Sequence, residues 1–256
     1  MISEVAAGVL AALVVGATGI IGHGARHRVR FVARIPSLPE WFAQWQIQHR
    51  APDLDPSTTT VLRLFLTGTY RLARPLAKAG IAPATVTFAG VWLAATVPVL
   101  AWKLPALAAI VCLTSSLVDG VDGAVAGLQN RATRFGFVLD SVADRIAEAA
   151  FFGALVAAGG HLAWAAAGWA GVAMVEYVRA RAAAAGLDEI AVVTIAERPT
   201  RVLCVVFGLL GAAVVPGHAT AILDASGALA AVTAVVAMGQ LLTVVWTRFA
   251  DTEGSS

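Results

Sequence analysis

An all-α integral membrane protein is expected here: a six-helix transmembrane core, an interfacial amphipathic helix and one extra N-terminal transmembrane helix. Three observations carry that expectation. The 256 residues are 59% hydrophobic with a mean hydropathy of +0.79, which excludes an ordinary soluble domain. Apolar runs recur at the length a hydrocarbon slab of ~30 Å requires, roughly 20 residues each. The alternating pattern of a membrane barrel is absent, so backbone polar groups must be satisfied inside helices.

Taken in order, Val5 to Ile21 is a first apolar run, followed by Arg26, Arg28, Arg30 and Arg34. A signal peptide carries its charge before the apolar run, so this one reads as an uncleaved span. Residues 35–57 form a polar connection with four prolines. Its Trp41 and Trp45 suit either the headgroup level or packing on the cytoplasmic face. Ser57 then caps a helix reaching about Lys78, in which Leu62, Leu64, Phe65 and Leu72 mix with Arg63, Arg71 and Arg74. That mixture suits a helix lying in the interface, or a short packing helix. Six spans follow, at about Pro83–Trp102, Pro105–Ala126, Gly136–Ala157, Leu162–Arg181, Arg201–Val215 and Ala225–Trp246. The organisation is therefore an N-terminal helix and basic flank (1–35), a cytoplasmic connection with the interfacial helix (36–79), a membrane domain (80–250) and a polar tail (251–256).

Charge sets the orientation. With the loop 127–135 on the cytosolic side, every Lys and Arg except Lys103 falls at or near that face, as the positive-inside rule demands. Cys112 and Cys204 lie in apolar runs and read as core residues, not as a framework. The histidines are scattered, and no phosphate-binding glycine loop or zinc-type spacing occurs.

The chemistry concentrates between positions 119 and 144, where Asp119, Asp122, Asp140 and Asp144 stand in an otherwise apolar region. Intramembrane carboxylates are costly and mark function. Asp119 and Asp122 are i, i+3, while Asp140 and Asp144 are i, i+4, so each pair shares a helix face. Carboxylates aimed together repel unless cations hold them, and hard divalent ions such as magnesium or manganese prefer such oxygen ligands. Small residues among them, Gly120, Gly123, Ala124, Ala126 and Gly127, leave room for a ligand to approach.

The pattern D-x2-D-G-x2-A-x9-G-x3-D-x3-D, met by Asp119, Asp122, Gly123, Ala126, Gly136, Asp140 and Asp144, resembles the signature of the CDP-alcohol phosphotransferases. Residues 80–87, GIAPATVT, look like the family's G-I-x-P-N-x-V-T element. Tyr177-Val-Arg179-Ala-Arg181-Ala and Glu197-Arg198-Pro-Thr-Arg201 look like elements of members close to phosphatidylinositol phosphate synthases. The resemblance implies transfer of a phosphatidyl group from CDP-diacylglycerol to an alcohol with release of CMP. Candidate acceptors are glycerol 3-phosphate, inositol phosphate and phosphatidylglycerol, and the E-R-P-x-R element favours a phosphorylated one. It implies two magnesium or manganese ions on Asp119, Asp122, Asp140 and Asp144, with Asp144 as base. It places the CDP-alcohol on Thr87, Gly123, Ala126, Arg131, Arg134 and Gly136, and the acceptor on Arg179, Arg181, Arg198 and Arg201. Partners are the bilayer and a second copy of the chain, with no nucleic acid, in the cell membrane with the site facing the cytosol.

Two positions depart from the family pattern. Gly127 replaces the arginine that usually follows the alanine, and Ala84 replaces an asparagine. If the helix continues past Gly127, Arg131 at i+4 and Arg134 at i+7 fall on its side, and Arg131, being nearer, is the favoured substitute. Glu148, four residues beyond Asp144, either orients Asp144 or an acceptor, or pairs with Arg145. Glu176 reads as an inter-helix hydrogen-bonding group. Two other readings compete: a catalytically impaired scaffold, against which all four aspartates count, and a cation transporter. The latter needs carboxylates near the midplane and open to both faces, whereas these crowd one end.

Overall fold

The computed structural model describes residues 34–48, 60–187 and 194–253, and the expected span at Val5–Ile21 lies outside them. Among the described residues the chain is helical without a strand. The helices are α1 (Leu38–Gln48), α2 (Thr60–Lys78), α3 (Pro83–Ala101), α4 (Pro105–Leu128), α5 (Arg134–Ala157), α6 (Leu162–Ala184), α7 (Arg198–Val214) and α8 (Ala219–Glu253), with a single 3-10 turn at Pro216–His218.

Three segments are long and apolar enough to cross a membrane: Pro83–Ala101, Pro105–Leu128 and Pro216–Ala250. The other three expected spans are helices too. However, α5 and α6 carry several charged residues, and α7 is only 17 residues long. The last helix begins at Ala219 and runs 35 residues, longer at both ends than the Ala225–Trp246 expected.

Helix α1 is a departure from the polar connection expected at 35–57. Its start carries the glutamate half of a capping box: Ser37 N–H and Oγ both donate to Glu40 Oε2, at 2.7 and 2.9 Å, and Trp41 N–H donates to Ser37 O. Pro39 sits in the first turn, where no backbone N–H is needed. Trp41 is buried and stacks obliquely on Tyr70, whose hydroxyl donates to Pro36 O at 2.8 Å. Trp41 thus packs against α2.

The described chain falls into two compact units. The first ends at Leu93 and resumes over Thr114–Ile146; the second comprises Ala94–Leu113 and the chain from Ala147. In the first, α2 buries Leu66, Tyr70, Ala73 and Ala77 at helical spacing against Val86 of α3 and Val121, Val125 and Leu128 of α4. Its outer side carries Leu64, Phe65 and Leu72 among Arg63, Arg71 and Arg74, all exposed. Helix α2 closes in a Schellman motif: Gly80 (φ +69°) donates to Ala77 O and Ile81 to Leu76 O.

In the second unit Phe151, Leu155, Val205, Leu209 and Leu223 form the main core, and α6 meets α8 through Val172, Val175, Ala237 and Leu241. A Cβ at Gly227 of α8 would stand 2.9 Å from the Trp164 carbonyl carbon, so only glycine permits that approach. Both cysteines are buried thiols.

Candidate active site and metal centre

Helix α4 delivers Asp119 and Asp122 on its C-terminal half, and α5 delivers Asp140 and Asp144 in its second and third turns. Both aspartates of α4 are buried, while those of α5 are partly exposed. The carboxylates of Asp119, Asp140 and Asp144 each place one oxygen within 4.8 Å of the others. Arg145 approaches Asp144 only at 3.9 Å. Three convergent carboxylates are a hard oxygen donor set, which fits magnesium or manganese.

Asp122 stands outside that three-way group. Its Oδ2 accepts a short hydrogen bond from the Thr87 hydroxyl of α3, which also reaches Pro83 O at 3.3 Å. The two motif segments, GIAPATVT and the aspartate pattern, are thus joined at this bond. A hydroxyl donor holds the carboxylate in one rotamer with its other oxygen still able to accept.

Beside the aspartates lies a cavity of about 360 Å³. One wall is the start of α3, with Ala82, Pro83, Ala84 and Thr87; the other runs from Arg131 to Asp140. Asp122, Gly123 and Ala126 line it between them. A Cβ at Gly123 would meet nothing within 4 Å, as expected of a glycine facing open space. Gly136 lies where a Cβ would meet Thr133 Oγ1 at 3.1 Å, and its N–H donates to that oxygen at 3.0 Å, so Thr133 caps α5. Of the positions expected to hold the CDP-alcohol, Thr87, Gly123, Ala126, Arg131 and Gly136 line this cavity, and Arg134 is not among its lining residues.

The helical route proposed for Arg131 does not exist. Helix α4 stops at Leu128, Asn130 adopts φ +51°, and its N–H bonds Gly127 O while Arg131 N–H bonds Ala126 O at 2.8 Å. This is a second Schellman motif, with asparagine in the left-handed position usually given to glycine. The chain doubles back, and Arg131 arrives beside Ala126 and Gly127 by a turn instead of by i+4 spacing.

The second unit holds the arginines expected to meet an acceptor. Arg201 is 4% exposed, and its guanidinium is bonded to Ala196 O at 2.5 Å, Glu148 Oε1 at 2.7 Å and Glu176 Oε1 at 2.5 Å. Glu148 thus has a partner that neither of its two readings included, because α7 brings a buried cation to it. Glu176 is the inter-helix group it was expected to be. Arg179 bonds Glu197 Oε1 at 3.0 Å and lies 3.7 Å from Glu176. Burial pushes the Glu197 carboxyl up, but bonds from Arg179 and from the Thr194 N–H and hydroxyl outweigh it and leave its pKa below the usual value. Arg181 is exposed on the last turn of α6, and Arg198 is half-buried at the start of α7.

Comparison with known proteins agrees with this geometry. The family model described as CDP-alcohol phosphatidyltransferase matches residues 80–246. The phosphatidylinositol phosphate synthase of Mycobacteroides abscessus is 35% identical over 159 residues, 56% of this chain and 68% of that protein. The enzyme of the same description from Mycobacterium marinum is 34% identical over 195 residues, 70% of this chain and 80% of that protein. The structure of Mycobacterium tuberculosis phosphatidylinositol phosphate synthase with CDP-DAG bound superposes with a TM-score of 0.56 at 30% identity, covering 70% of this chain and 94% of that one. The same protein in complex with manganese and citrate gives a TM-score of 0.56 at 30% identity over 70% and 89%.

Proposed function

Since the chain belongs to the CDP-alcohol phosphatidyltransferase family, we propose that it transfers the phosphatidyl group of CDP-diacylglycerol to inositol phosphate and releases CMP, at a two-metal site facing the cytosol. The observation that carries this reading is the convergence of Asp119, Asp140 and Asp144 within 4.8 Å, beside a cavity lined by the other motif positions. The relatives named above are phosphatidylinositol phosphate synthases, a name that favours inositol phosphate as the acceptor here over glycerol 3-phosphate and phosphatidylglycerol.

Divalent ions bound at the aspartates would supply positive charge against the pyrophosphate and lower the pKa of the acceptor hydroxyl. Asp119, Asp140 and Asp144 would hold the ions, with Asp122, oriented by Thr87, as the fourth carboxylate. Asp144 takes the proton from the acceptor hydroxyl. That oxygen then bonds to the phosphatidyl phosphorus as the bond from phosphorus to the CMP oxygen breaks. Arg131 contributes a guanidinium at the cavity wall, where Gly127 has no side chain to give. A guanidinium is always charged and donates in a fork, which suits a phosphate. Arg181, exposed on the last turn of α6, is the arginine best disposed to receive an acceptor phosphate, since Arg201 is engaged on three sides.

In this reading the six helices α3–α8 span the bilayer and α2 lies in its interface. The test is CMP release by purified protein from CDP-diacylglycerol with a panel of labelled acceptors and manganese. Inositol phosphate is expected to be the preferred acceptor. Equal or better turnover with glycerol 3-phosphate or phosphatidylglycerol would overturn the assignment.

A further inference from the structure

Gln129 is used by neither the metal centre nor the cavity lining, yet it is 8% exposed and sits where the two cavity walls originate. It is the residue between the end of α4 and Asn130. Its Nε2 donates to Ile81 O at 2.8 Å and lies 3.4 Å from Ala77 O. Both partners are carbonyls that can only accept, so the amide nitrogen must face them. Its Oε1 is buried with no hydrogen-bond partner. A leucine of similar size would avoid that cost, so the use of the residue lies in what Nε2 holds.

What it holds is one turn against another. Ile81 closes the Schellman motif of α2 and is followed by the wall residues Ala82, Pro83 and Ala84. Gln129 opens the Schellman motif of α4, whose last residue, Arg131, begins the opposite wall. Backbone bonds fix each turn internally, but the side chain of Gln129 ties the first turn to the second.

We propose that Gln129 is a positioning residue that clasps these two turns and so sets the width of the cavity in which the cytidine diphosphate end of the substrate is held. The proposal rests on the reading of that cavity as the CDP-alcohol site, and it is testable apart from it. In Gln129→Leu the clasp is lost while size is kept. The KM for CDP-diacylglycerol is expected to rise about three- to tenfold, the range of one ordinary hydrogen bond. Both kcat and the half-saturating manganese concentration should stay within about twofold, because no metal ligand is touched; a purely structural defect would lower kcat and thermal stability together. The second readout needs no activity. Spin labels at Ala84→Cys and Ala132→Cys report the distance between the walls, and Gln129→Leu is expected to broaden and lengthen that distribution. Where Gln129→Leu does not give folded protein, Gln129→Asn, with the same amide one methylene shorter, is measured in the same two ways. An unchanged wall distance, or an unchanged KM in active protein, overturns the proposal. Should the parent protein release no CMP, the functional reading fails and the label distances still decide the clasp.

Discussion

Asp144 is where proton transfer would occur, and its substitution separates chemistry from binding. Asp144→Asn is expected to cut transfer at least about a hundredfold, the lower range of general-base effects, and to weaken CDP-diacylglycerol binding less than Asp119→Asn does. Asp119→Asn should weaken both, since Asp119 is buried among the ligands. Activity within about tenfold of the parent for Asp144→Asn removes it as the base. Thr87→Val deletes the donor to Asp122; a bond to a charged acceptor is worth ~1.5–3 kcal/mol, so kcat should fall about ten- to a hundredfold. Arg131→Ala is expected to raise the KM for CDP-diacylglycerol by a similar factor, with partial recovery when Gly127→Arg is added. No recovery would leave Arg131 as a loop anchor only. The aspartates were readable because spacing on one helix tells which carboxylates share a face. Glu148 and Arg201 were not: the partner of each lies on another helix, 53 positions away in sequence, and no periodicity reports such a pair.

Helix ends account for the rest of what was and was not legible. The runs from Pro83 onward gave the cores of α3 to α8, because apolar length is a direct signal. The stop of α4 at Leu128 was harder, since asparagine is a less common occupant of the left-handed position than glycine. Helix α1 was signalled by S-L-P-E, a capping box overlooked among prolines. Besides their apolar packing, α5, α6 and α7 are linked ionically through Arg201. Removing the cation in Arg201→Leu strands Glu148, which is 1% exposed, and should cost ~3–5 kcal/mol, seen as a large loss of thermal stability. The tie from Glu197 to Arg179 and Thr194 has a defined pH dependence. Its carboxyl is held below the ordinary 4.5 in the fold, so its contribution is complete above that pH and lost as pH falls through the lowered value. Glu197→Gln should therefore melt below the parent at neutral pH, and the gap should close on acidification. A gap that stays constant down to strong acid would show that the charge of Glu197 is not what ties α6 to the start of α7.

For the protein as a whole, the proposal is a multi-pass enzyme whose aspartates open on the cytosolic side. Lys103, between α3 and α4, is the cation assigned to the far side, and Arg131 lies at the opposite end of α4. In right-side-out cells, a membrane-impermeant thiol reagent should label Lys103→Cys and spare Arg131→Cys; the reverse pattern would invert the topology. Three carboxylates in mutual reach beside apolar helices fit a place where cations meet a charged headgroup. The most direct check is CMP release from CDP-diacylglycerol by the purified protein, supplied with inositol phosphate and titrated with manganese or magnesium. Release should rise with the metal from a negligible baseline in excess chelator and disappear in Asp119→Asn. Full turnover in chelator, or no CMP release at any metal concentration by folded protein, would contradict the account.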